Sequence, residues 1–186
     1  MTASLLVFSQ KTFQGSSENN YFLSANRYED EKIIDMIKKW DMNIIGSRVE
    51  TVTKEYLKSK CTEVKEFIKV KYPQYGDIDK IVDVDDYAAP IFCLFYSMWE
   101  ANDFKTLTSD PEGVKSLITK AKIPAWLKCT LETIGVSWGI SEITATLGTF
   151  ETASAWKIAK FFVKKYIVGW LATAAAIYDV ATTCFF

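Results

Sequence analysis

The chain has 186 residues, 49% of them hydrophobic and 15% aromatic, which is enough apolar mass for one domain with a buried core and excludes wholesale disorder. Its formal charge of −1 is unevenly spread: residues 1–111 carry 14 Lys/Arg against 18 Asp/Glu, or −4, and residues 112–186 carry 8 against 5, or +3. That weak positive end is not the clustered basic face of a nucleic-acid binder, and the complete absence of histidine removes Ser-His and Cys-His catalysis and His metal sites together.

The run Thr2–Ser9 is apolar but too short to span a bilayer, and no basic residue precedes it. It reads either as the remnant of a trimmed export signal or as an edge strand or first helical turn. Residues 14–28 are rich in Ser, Asn and Gly, so residues 1–28 form an N-terminal tether or trimmed export segment and 29–186 the helical domain. From Glu29 to about Ile45, Ile33, Ile37, Trp40 and Ile44 recur at helical spacing and predict one helix. Ser47-Arg48-Val49-Glu50 has the pattern of a capping box, and Val49, Val52, Tyr56, Val64, Phe67 and Ile68 continue an apolar stripe to about Tyr72.

Tyr72–Gly76 breaks that pattern, and Asp77, Asp79, Asp83, Asp85 and Asp86 follow within ten residues. Lacking the central Gly and terminal Glu of a calcium loop, this segment reads as turn and N-cap chemistry, and no metal ligand is assigned. Ala88–Glu100 is nearly all apolar but too short to cross a bilayer, so it predicts a buried helix. Ser109-Asp110-Pro111-Glu112 starts a short helix to about Lys122, and Ile123-Pro124 restarts the chain. From Ala125 to about Leu147 two apolar rows require cover on more than one side.

Within that segment Gly135-Val136-Ser137-Trp138-Gly139 matches a nucleophile-elbow pattern, but its surroundings are helical and no His exists to take the serine proton. The same glycines make a small-xxx-small pair, with Ala172–Ala176 as a plausible mate across a turn at Gly148–Ser154. Glu132 and Glu142 lie nearly on one face, and Asp179 follows a long uncharged run; each has an ordinary reading as a solvated group or cap. No catalytic residue and no cofactor is therefore assigned, and a non-enzymatic protein is expected.

The end of the chain carries the main functional expectation. Lys157, Lys160 and Lys164 share one helical stripe, Lys165 adjoins it, and Tyr166 to Tyr178 carries no charge. A helix over 152–181, packed against 125–147 as an apolar hairpin, needs a core, a membrane or a partner to cover it. Lys157, Lys160, Lys164, Lys165, Tyr166 and Trp170 are the candidate membrane-contacting residues. Among Cys61, Cys93, Cys129 and Cys184 there is no CxxC pair. They allow either two disulfides or four buried thiols; in an exported protein Cys184 is expected to be oxidised, to Cys129, because both flank the hairpin.

The expected fold is all-α: a single-domain bundle of five to seven helices around an apolar C-terminal hairpin. The arrangement of amphipathic helices around such a hairpin is similar to that of soluble pore-forming bacterial toxin domains. It implies a membrane-active protein, toxin- or bacteriocin-like, located in the cell envelope or secreted, with an anionic membrane or a protein as partner. The alternative is a non-catalytic cell-envelope binding or scaffold protein in which the hairpin is core.

Overall fold

The computed structural model describes residues 31–100, 125–134 and 151–185. The tether, the helix expected near residues 109–122, the Gly135–Gly139 motif and Glu142 lie outside these residues. Every regular element among the described residues is helical, and the fold is all-α. Helix α1 spans Ile33–Lys38 and α2 spans Met42–Ile45, so the single helix expected to Ile45 is interrupted. Asp41 causes the restart: its side chain accepts the Asn43 N–H at 2.9 Å and caps α2. Trp40, between the two helices, is buried with Ile33, Ile34, Ile37 and Ile45.

Helix α3, Glu50–Lys71, is the longest described element. Its core face is Thr53, Leu57, Cys61, Val64, Phe67 and Ile68, whereas Val49 and Val52, assigned to the apolar stripe above, are 53% and 52% exposed. Val49 is the N-cap and lies outside the helix, and Val52 stands one position off the row that begins at Thr53, so neither joins the core face. Arg48 has a φ of 59°, and Ser47 Oγ lies 3.4 Å from the Val49 N–H, so the expected capping box does not form. Thr53 instead donates to the Ile44 carbonyl at 3.3 Å, tying the start of α3 to α2.

A 3₁₀ turn, Pro73–Tyr75, leads to the short helix α4, Ile78–Ile81, and the acidic segment behaves as turn and cap chemistry. Asp86 accepts the Ala88 N–H and Asp83 the Asp85 N–H, each at 2.9 Å. Lysines of α3 hold the same segment: Lys58 meets Asp85 at 2.6 Å, and Lys65 and Lys69 both reach Asp79. These pairs hold the Asp79 and Asp85 carboxyls below their ordinary range, Asp79 chiefly through Lys69 and Asp85 through Lys58.

Helix α5, Ala89–Glu100, is the most enclosed of the described elements: every residue from Ala89 to Met98 is buried. It packs against α1 and α3 and against the two C-terminal helices, which is why it can be apolar on all sides. Those two are α7, Thr152–Tyr166, and α8, Trp170–Cys184; α6, Ala125–Thr133, lies against α8. The stretch expected to be one helix over 152–181 is thus two, meeting at 106°. The corner is set by Gly169, whose φ of 90° and ψ of 170° belong to a region that only glycine adopts readily. Of the partner helix expected over 125–147, the described part ends at Thr133 and packs on α8, and the Gly135/Gly139 contact lies outside the described residues. One hydrophobic core joins all these elements into a single domain.

Candidate membrane-contacting surface

Helix α7 is two-faced. Ala155, Ile158, Ala159, Phe162 and Val163 are buried against α5 and α4, while Lys157, Lys160, Lys164 and Lys165 are exposed. Steps of 4 and 3 put Lys157, Phe161 and Lys164 on the exposed side, so Phe161 lies among the lysines. At the corner Tyr166, Val168 and Leu171 are exposed as well, Val168 at 76%. Lys165 lies over the Phe161 and Tyr166 rings at 5.3 and 5.2 Å, and Lys160 over Trp156 at 5.7 Å. Lys160 also pairs with Asp86 at 3.2 Å. Among the described residues Lys157 and Lys164 form no ion pair, so they direct more of their charge outward than Lys160 does.

Trp170 departs from its expected place. It is 7% exposed and joins the core, with the Lys54 ammonium 6.0 Å from its ring centre. The reason is the corner: Gly169 turns α8 inward, so the first residue of that helix faces α3 and α5 while Val168 and Leu171 remain outside. Among the described residues no single helix is long and apolar enough to cross a membrane; α7 and α8 together meet that length and composition only as a bent pair.

The disulfide lies at the far end of α8, joining Cys129 to Cys184 across Cα atoms 5.5 Å apart, in the pairing expected from the sequence. Cys61 and Cys93 are free and buried, and burial, together with the neighbouring Cys93 thiol, pushes the Cys61 thiol well up. Of the acids singled out above, Glu132 is exposed, and Asp179 is exposed on α8 rather than buried in it. No cluster of three or more His, Cys, Asp or Glu that could hold a metal occurs among the described residues.

Between α1, α3 and α5 lies an ionic cluster that the sequence did not reveal. The Glu100 carboxylate, 3% exposed, accepts from the Ile33 N–H, from Lys71 Nζ at 3.1 Å and from the Tyr72 hydroxyl at 2.7 Å. Lys71 also donates to the Glu31 carbonyl and lies 4.9 Å from the Phe67 ring centre. Trp99 packs edge-on against Tyr72, Tyr75 and Tyr96. Burial and Glu100 push the Tyr72 phenol far up, and burial is the main reason that Tyr96 is pushed up to about 12. With the Glu100 carboxylate accepting from α1 and from the end of α3, this cluster fastens α1 to the junction of α3 and α5.

The chain matches no family model, no curated protein and no solved structure.

Proposed function

We propose that this is a non-catalytic, membrane-active helical protein of toxin or bacteriocin type that engages anionic lipid through the α7–α8 corner. One observation carries the reading: Phe161, Tyr166, Val168 and Leu171 are exposed together around that corner, with Lys157, Lys160, Lys164 and Lys165 beside them. Each lysine near an anionic surface contributes about 1 kcal/mol, and the apolar side chains then enter the headgroup boundary. Subsequent release of α7 and α8 from α5 would offer their buried faces to lipid. The disulfide would keep the end of α8 attached to α6, so the corner would lead. The disulfide also supports an extracytoplasmic setting, in the cell envelope or outside the cell.

A second reading, a cell-envelope scaffold in which the hairpin is core, is favoured by the complete burial of Ala155, Ala159, Ile177, Val180 and Ala181. Sedimentation with anionic vesicles separates the two. Reversing Lys157, Lys160 and Lys164 to Glu is expected to weaken binding by at least about a hundredfold, from roughly 1 kcal/mol per lysine, while lowering the melting temperature only by what the partly exposed Lys160–Asp86 pair contributes. Ala174→Asp is expected to impair folding or dye release more than initial binding, because Ala174, and not the exposed Ala175, is the buried position. A wild type that neither binds nor permeabilises anionic vesicles at neutral and mildly acidic pH would leave the scaffold reading in its place.

A further inference from the structure

A groove of about 500 Å³ separates the loop after α2 from the outer face of α8, a volume within the range of small-molecule sites. One wall is Leu171, Ala172, Ala175, Tyr178 and Asp179; the other is Ile45, Gly46 and Arg48. Three features mark this groove, two in the way the loop wall is held and one in the charges it carries. A Cβ on Gly46 would meet the Tyr178 ring at 2.8 Å, so the loop approaches α8 as closely as it does only because residue 46 is glycine. Arg48 adopts a left-handed φ of 59°, a conformation that costs free energy in a residue with a side chain. Finally, the groove carries one cation and one anion, Arg48 on the loop wall and Asp179 on the helix wall, and among the described residues neither forms an ion pair with the other or with anything else.

We propose that this groove binds a small zwitterionic amphiphile, with its anionic group on Arg48, its cationic group on Asp179 and its apolar tail against Leu171, Ala175 and Tyr178. Helical spacing puts Leu171, Ala175, Tyr178 and Asp179 on one stripe. Leu171 and Asp179 are about 12 Å apart along the axis at 1.5 Å per residue, so the tail points to the corner and the headgroup to the charged end. A purely anionic ligand meets the Asp179 carboxylate, and a purely cationic one meets the Arg48 guanidinium. A ligand with both charges satisfies each wall, and the guanidinium can take a phosphate or carboxylate in two parallel hydrogen bonds. The groove uses none of the lysines of the α7–α8 corner and shares only Leu171 with it, so the lysine variants test the vesicle-binding reading and the Arg48 and Asp179 variants test this one.

The test uses the full-length, disulfide-bonded protein and three monomeric probes that share one tail: hexylphosphocholine, hexyl sulfate and hexyltrimethylammonium, titrated by calorimetry and backbone-amide NMR. Hexylphosphocholine is expected to bind at least about tenfold tighter than either singly charged probe and to shift the amides of Arg48 and Ala175. Arg48→Gln should turn preference toward hexyltrimethylammonium, Asp179→Asn toward hexyl sulfate, and Ala175→Trp should abolish binding of all three. Both charged positions are exposed, so the two charge variants keep the test decisive if the tryptophan variant fails to fold. Reversal of Lys157, Lys160 and Lys164 to Glu should leave hexylphosphocholine binding unaltered. Phosphatidylcholine vesicles that compete with the probe uphold the proposal with a bilayer lipid as the source, and vesicles that do not compete uphold it with a free amphiphile. Equal affinity for the three probes, no binding of any, or self-association abolished by Ala175→Trp without probe binding would each overturn it.

Discussion

Helix α5 and the α7–α8 corner are both rich in apolar and aromatic residues, yet they occupy opposite situations. From Ala89 to Met98 α5 has no exposed residue, whereas the corner leaves Phe161, Tyr166, Val168 and Leu171 in contact with solvent and places lysines beside them. The difference comes from charge spacing and backbone geometry rather than from hydrophobicity. Helix α5 has no charge before Glu100, and that one charge is paired with Lys71 and hydrogen-bonded by the Tyr72 hydroxyl as it becomes buried. Helix α7 has a lysine on nearly every turn of one side, and Gly169 then bends the chain before α8 can extend it. One apolar segment is internal because nothing in it needs water; the other reaches the surface because its lysines do.

The largest expected effect falls on the enclosed region. Glu100→Ala leaves three donors, the Ile33 N–H, the Tyr72 hydroxyl and the partly buried Lys71 ammonium, without their shared acceptor, and should cost about 3–5 kcal/mol in a denaturant titration. A loss below about 1 kcal/mol would mean that the cluster does not hold α1 to the core. Reducing Cys129–Cys184, or replacing Cys184 with Ser, opens a link across 55 residues and should lower stability by up to about 4 kcal/mol in the chain-entropy view. Mass spectrometry of unreduced protein must show this bridge first. Four alkylatable thiols in protein from an oxidising compartment would remove it from the account.

Gly169→Ala acts on the corner alone. The added Cβ has no neighbour within 4 Å, so its cost is conformational, about 1–3 kcal/mol, and shows as a lower melting temperature. An unchanged melting curve would mean that the chain turns there without needing glycine. The pH response should come from the enclosed end of the molecule. Because the Tyr96 phenol is raised from 10.0 to about 12, the folded state keeps a proton that the unfolded chain releases. Its stabilisation is fully present below about pH 10 and is lost as pH rises toward about 12. Stability followed against pH should therefore fall over that window, and Tyr96→Phe should make the fall shallower.

Much of this architecture was legible in the sequence because the period of apolar residues carries it. The body of α3, the buried character of 88–100 and the basic side of α7 follow from spacing alone, and the Cys129–Cys184 pairing follows from positions flanking a packed pair. The breaks were less legible. Asp41 and Gly169 each occur inside runs that keep helical period, and period does not report a backbone that turns between two helices that are each regular. The phase of α3 was misassigned at its start, because Val49 is the N-cap and not a helical residue, and Val52 stands one position before Thr53, where the buried row begins. The Glu100 cluster joins residues 28 to 67 positions apart, and no local pattern signals a contact of that kind. Phe161 was the readable omission: it stands four residues after Lys157 and three before Lys164, on their side of the helix.

The most direct test of the central claim compares the corner with the outer face of α3, which is equally apolar at Val52 but is not the proposed contact. An environment-sensitive fluorophore is attached to Val168→Cys in one protein and to Val52→Cys in another; native Cys61 and Cys93 are buried and Cys129 and Cys184 are joined. With anionic vesicles, the label at 168 should shift to the blue and brighten, and the label at 52 should not. An unchanged signal at 168, or the same change at both positions, would contradict lipid engagement through the α7–α8 corner.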